Sequence, residues 1–199
     1  SALPFIAHAQ QAAPTAATQE PVAAPEPAPL PPPLWSARDS QELLTFILGI
    51  GREGLNPADY DPAGLTAALS SGDPAVLSQA SNDRFGKVAT DLALGHVRGK
   101  DRIDWHIKDP DLSTERLDQL LRFAVGTHQV TRTLQQLLPV HPQYAMLKTA
   151  LQVTPPSEVS ELNRIRLNLD RWRWLPRDLG DRYIIVNVPA YTAALVEGG

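Results

Sequence analysis

Six arginines crowd the C-terminal stretch: Arg164, Arg166, Arg171, Arg173, Arg177 and Arg182 stand against only Asp170, Asp178 and Asp181 in that window. The planar guanidinium fork suits carboxylates, so this cluster has the chemistry to hold an acidic ligand. The simpler account is structural. Asp170 lies four residues after Arg166 and three before Arg173, within reach of helix-face pairing, which would leave a solvated ion-paired surface. Other reactive chemistry is sparse. The chain has no cysteine, which excludes a thiol nucleophile, a thiolate metal site and a disulfide within it. Of its five histidines, the nearest pair, His96 and His106, lacks a helical metal-ligand spacing. No serine, histidine and acid stand at a spacing that reads as a triad. The sequence therefore assigns no catalytic, cofactor-binding or metal-binding residue, and leaves substrate-binding residues open.

The elements that position the arginines are legible. Val159, Leu162, Ile165, Leu169 and Trp172 fall at steps of three, three, four and three, one apolar stripe on a helix that leaves Arg164, Asn168 and Arg171 outside. Pro156 fits a first turn and Pro176 disfavours helix at Leu175, so the helix is expected over 157–174, with Trp174 offset from the stripe to cover the turn that follows. Asp178-Leu179-Gly180-Asp181 supplies turn-tolerant residues. Tyr183–Val188 and Tyr191–Glu197 then read as two strands, with Pro189-Ala190 as a bulge or tight bend because Pro189 has no N–H to donate.

The run Arg171-Trp172-Arg173-Trp174-Leu175-Pro176-Arg177-Asp178-Leu179-Gly180-Asp181-Arg182-Tyr183-Ile184-Ile185-Val186-Asn187-Val188-Pro189-Ala190-Tyr191 resembles the junction in the large L,D-transpeptidases of Gram-negative bacteria, where a helix leads into the first strands of the catalytic domain. Shorter echoes of that family's N-terminal scaffold lie in Gly54–Tyr60, Asp91–Val97 and His141–Tyr144. The resemblance implies a cell-envelope protein of peptidoglycan metabolism. The parent would cross-link stem peptides through a cysteine in a Ser-His-Gly-Cys motif, which is absent here. Many relatives carry a peptidoglycan-binding module ahead of the junction. Only Gln152-Val153-Thr154-Pro155-Pro156 separates Leu151 from the junction helix, so that module is not expected.

Upstream, Ala2–Ala9 reads as the remnant of a secretory signal with cleavage before Gln10, which points to the periplasm. Residues 10–34 form a proline- and alanine-rich disordered linker. Order is expected from Trp35. A first helix is capped by Ser36 or Ser40 and carries Leu44, Ile47, Leu48 and Gly51. Leu65, Ala68 and Leu69 mark a second helix, and Asp73-Pro74 opens a third carrying Leu77, Phe85, Val88, Ala89 and Leu92. Lys100–Asp111 reads as a surface connection in which Trp105 either anchors the loop or stacks on a ligand. Three more stripes follow: Leu117, Leu120, Leu121 and Ala124; Val130, Leu134, Leu137 and Leu138; Tyr144, Leu147 and Leu151. Their short joints favour antiparallel neighbours.

The expected fold is mainly α: a helical scaffold over 35–154, a junction helix and turn over 155–182, and over 183–199 a two-strand piece that begins an incomplete catalytic sheet. A net charge of −4 without a basic block argues against a nucleic-acid partner, and no apolar run approaches the roughly 20 residues of a transmembrane helix. The expected function is the N-terminal part of a peptidoglycan L,D-transpeptidase, inactive alone, with stem peptides as partners of the parent and no cofactor. The alternative is a stand-alone, non-catalytic periplasmic scaffolding or wall-binding module. Removal of residues 10–33 is expected to leave the melting temperature nearly unchanged by circular dichroism; a large drop would show that the proline-rich tract packs.

Overall fold

The computed structural model describes residues 31–102, 105–107, 112–177, 179–187 and 191–198. The expected signal remnant at 1–9 and the linker as far as residue 30 lie outside these residues, as do Asp178 in the turn and Val188-Pro189-Ala190 in the bend. The described residues are mainly helical, with one antiparallel hairpin near the C-terminus. In order they form α1 (Ala37–Gly49), α2 (Pro62–Ser71), α3 (Pro74–Leu94), α4 (Thr114–Gly126), α5 (Val130–Gln135), α6 (Pro142–Val153), α7 (Val159–Trp174), β1 (Arg182–Asn187) and β2 (Thr192–Glu197). Three short 3-10 turns lie at Ile50–Glu53, Pro57–Tyr60 and Gly99–Asp101. No helix among the described residues is long and apolar enough to cross a membrane.

Helix starts follow local chemistry. The Ser36 side chain accepts the Asp39 N–H at 3.1 Å and caps α1, while Asp73 accepts the Ala75 N–H at 2.8 Å and sets Pro74 in the first turn of α3. Helix α3, at 21 residues, is about 31 Å long and is the spine against which α1, α2, α4, α5 and α7 pack. It buries Leu77, Phe85, Val88, Ala89 and Leu92 as its spacing predicts. Each large side chain removed from water there contributes about 1.5–3 kcal/mol. Trp35 closes the far end of this core: its N–H donates to Ser78 Oγ at 3.0 Å, its indole to Asn82 Oδ1 at 2.7 Å, and its ring meets Phe85 edge-on.

Two stripes differ from their expected extent. Helix α1 buries Ser40, Leu43, Leu44 and Ile47, and Leu48 faces solvent. The reason is polar. Ser40 and Ser81 share a buried hydrogen bond at 2.9 Å between α1 and α3, and Leu48, about 80° around the helix from Ser40, falls outside that contact. Helix α7 buries Leu162, Ile165 and Leu169 as expected, but Val159 is 59% exposed and Trp172 only half-buried. Periodicity identifies a face; it does not say how far the facing partner extends. Helix α5 stops at Gln135, so Leu137 and Leu138 complete their stripe from a turn.

Helices α6 and α7 pair through a second, smaller core of Tyr144, Ile165 and Leu169. Two glycines allow α7 to seat. A Cβ on Gly54 would sit 3.0 Å from Leu169 Cδ1, and one on Gly95 would overlap the Trp174 ring at 2.6 Å; both have positive φ. Beyond α7, β1 and β2 pair in register from Arg182 opposite Glu197 to Asn187 opposite Thr192. Ile184, Val186 and Leu195 on one face, and Ile185 on the other, are all exposed. Leu169→Asp places a charge at a fully buried position and is expected to cost several kcal/mol; an unchanged melting temperature would contradict the packing of α7.

Candidate functional site

The last two turns of α7 divide into an inner and an outer surface, and both carry polar chemistry. On the inner side, Arg173 is fully buried. Its Nη2 donates to the Glu53 backbone carbonyl and, at 2.8 Å, to the Tyr144 hydroxyl. That hydroxyl in turn donates to Glu53 Oε2 at 2.9 Å, and Lys148 pairs with the other oxygen of the same carboxylate. Asp170 Oδ1 lies 3.6 Å from Arg173 Nη1, near enough for attraction but too long for a hydrogen bond, and Arg173 Nε and Nη1 have no acceptor among the described residues. Arg173 and Lys148 against Glu53 and Asp170 leave this buried cluster electrically balanced, as a low-dielectric site requires.

Asp170 also grips the connection after α3. Its oxygens accept the backbone N–H groups of His96 at 2.7 Å and Val97 at 3.2 Å, and the Trp174 indole N–H at 3.0 Å. Trp174 is held between the Arg102 guanidinium, 5.0 Å from its ring centre, and the edge of Trp105 at 5.3 Å. It therefore lies under the α3–α4 connection rather than over the helix-to-strand turn. Arg177 reaches back to the carbonyls of Ala93 at 2.8 Å and Leu137 at 2.9 Å, so the segment leading to β1 is tied to the ends of α3 and α5. Nearby, buried Asp91 accepts from Tyr60 at 2.9 Å and Arg98 at 2.7 Å and lies 3.0 Å from His96 Nδ1.

The outer side is open. Asn168, Arg171 and Trp172 of α7 and Gln143, Met146, Leu147 and Ala150 of α6 line a hollow of about 590 Å³, together with Trp105 and Leu175. The His141 ring stacks on Trp172 at 4.4 Å and 20°, and both rings also line a second hollow of about 260 Å³ that runs to Tyr183 at the root of the hairpin. Trp105 Nε1 is buried without an acceptor among the described residues.

These positions sort the sequence candidates. Of the six arginines, Arg173 is structural, Arg177 holds carbonyls, Arg164 pairs with Glu161, Arg166 bonds Asn163 and Arg182 pairs with Glu197 across the hairpin. The Arg166–Asp170 pair is not made, because Asp170 turns inward to the backbone amides. Arg171 lines the α6–α7 hollow without an acidic partner among the described residues. Trp105 packs edge-on against Trp174, the anchoring role, and also lines the groove. His96 serves Asp91, and His106 is exposed. Among the described residues, no group of three or more His, Asp or Glu is placed to hold a metal ion. Sequence reasoning missed the Glu53–Tyr144–Arg173 network, whose members are 91 and 29 residues apart.

Residues 31–151 match the family model described as Scaffold domain. No curated protein and no solved structure matches the chain. The matched range takes in α1 to most of α6, so α7 and the hairpin lie beyond it.

Burial, reinforced by Asp91, pushes the Tyr60 hydroxyl well above the ordinary tyrosine range; burial, reinforced by Glu53 and opposed by Arg173, does the same for Tyr144. A raised folded-state value means that the unfolded chain ionises first. The stability these hydroxyls contribute is therefore intact below about pH 10 and is lost as pH rises further. Unfolding free energy is expected to fall between pH 10 and 12, and Tyr144→Phe to flatten that slope while lowering stability at neutral pH. Urea titrations at each pH measure both; an unaltered slope would remove Tyr144 from the alkaline transition.

Proposed function

Because the chain belongs to the Scaffold domain family, we propose that it is the non-catalytic helical scaffold and junction of a cell-envelope L,D-transpeptidase, whose partner is peptidoglycan. The observation that carries this reading is what becomes of the 171–191 run in three dimensions. Its first half is locked into the helical body by Arg173, Trp174 and Arg177, and its second half supplies β1, the first strand of a hairpin with apolar residues bared on both faces. A two-stranded ribbon with both faces exposed is marginal alone and fits a place within a larger sheet. The scaffold's task is then to fix the direction in which that sheet leaves the body.

The chemistry belongs to the catalytic sheet. The thiolate of Ser-His-Gly-Cys attacks the stem-peptide carbonyl after the third residue. A C–S bond forms, the C–N bond breaks, and the terminal D-alanine leaves after its nitrogen takes up a proton. An amine of a neighbouring stem then attacks the thioester, releases the thiolate and loses its own proton. The cysteine-free chain contributes position rather than a reacting group.

Fusing the hairpin to a sheet that carries Ser-His-Gly-Cys is expected to give cysteine-dependent dimerisation of stem peptides and to raise hydrogen-exchange protection over 182–187 and 192–197. The 199-residue chain is expected to give neither. Dimers formed by the cysteine-free chain, or strong protection of both strands within it, would overturn the proposal.

A further inference from the structure

The hollow between α6 and α7 has the size of a ligand site, about 590 Å³ against the roughly 300–1,000 Å³ usual for small-molecule and peptide pockets. Its apolar lining comes from Met146, Leu147, Ala150 and Leu175 and from the indoles of Trp105 and Trp172. The polar groups on this surface are unevenly matched. Arg171 can only donate, Gln143 and Asn168 can donate and accept, and no carboxylate lines the hollow among the described residues. A donor-rich apolar site selects an occupant with apolar groups and surplus acceptors. The Arg171 charge repels a cation.

Arg171 supplies the charge. It is exposed and has no acidic partner among the described residues, so its guanidinium is available for a bidentate carboxylate. Gln143 on α6 and Asn168 on α7 add amide side chains to the lining, each able both to donate to and to accept from a peptide backbone. The His141 ring backs Trp172 at 4.4 Å and holds that indole in place. From this complementarity we infer that the α6–α7 groove binds the C-terminal end of a short apolar peptide, with Arg171 holding its free carboxylate and the two indoles flanking its side chains. The inference rests on the groove alone and does not depend on the enzymatic reading.

Calorimetric titration of the full 199-residue chain with N-acetyl-alanyl-leucine tests it, alongside the same peptide as its carboxamide, a chitin-type oligosaccharide and an uncharged proline-rich peptide. The free acid is expected to bind saturably, and the carboxamide roughly tenfold more weakly, the loss of one charge-assisted interaction. Arg171→Gln is expected to remove that difference, leaving acid and carboxamide alike, with an unchanged circular dichroism spectrum because Arg171 is exposed. Met146→Glu, at a position 69% exposed, is expected to weaken the acid more than the carboxamide by repulsion. Equal binding of acid and carboxamide by the unsubstituted chain would overturn the inference. So would preference for the oligosaccharide or proline-rich peptide, or no binding of the acid up to about 10 mM, well above a millimolar Kd.

Discussion

A guanidinium with no contact with water must be matched by its surroundings, and the fully buried Arg173 imposes that demand on three separate parts of the chain. The turn after α1 supplies the Glu53 carbonyl, α6 supplies the Tyr144 hydroxyl, itself bonded to the Glu53 carboxylate, and α7 supplies Asp170. Replacing such a network by apolar side chains can leave stability unchanged or increase it, so its energetic weight lies elsewhere. Sliding α7 by one turn would carry the guanidinium about 5.4 Å from these partners and strand it in an apolar interface. The network thus sets the axial position and rotation of α7, and through Arg177 the exit of the chain toward β1.

The same helical turns serve two surfaces because neighbouring residues point in different directions. Asp170, Arg173 and Trp174 turn inward and are buried; Asn168, Arg171 and Trp172 line the groove shared with α6. Trp172 lies at the border, against His141 and beside both hollows. A rigid inner side gives the outer side a fixed geometry. The groove therefore has one wall held by buried charge and the other by α6, whose Tyr144 belongs to that same charge network.

The order and type of the elements were legible because their signals are local. Asp73-Pro74 opens α3, Ser36 caps α1, and the spacing of Leu162, Ile165 and Leu169 marks the inward face of α7. The Scaffold domain match agrees with the upstream echoes of the family's scaffold region. The candidate site was less visible. Asp170 was expected to face its helical neighbours; its partners His96 and Val97 lie 74 and 73 residues away, and no local pattern encodes them. Leu43 was passed over because the rotation of α1 depends on the Ser40–Ser81 contact with α3. Trp105 and Arg171 were both recognised as capable of binding, but only the packing of α6 on α7 brings them to one hollow.

The reach of the Arg173 contact also orders events during synthesis. Arg173 and the Glu53 carbonyl are 120 residues apart, so α7 cannot take its final place until the turn after α1, the α3 spine and α6 are all available. A chain made from its N-terminus has produced every one of those partners by the time Arg173 emerges. Closing that distant contact is slow relative to local helix formation, but it waits for nothing downstream. The strands follow the last helix in sequence, so the helical body can finish folding before the apolar ribbon is complete. Vectorial synthesis thereby shortens the interval in which that ribbon could meet an unfinished core instead of its own sheet.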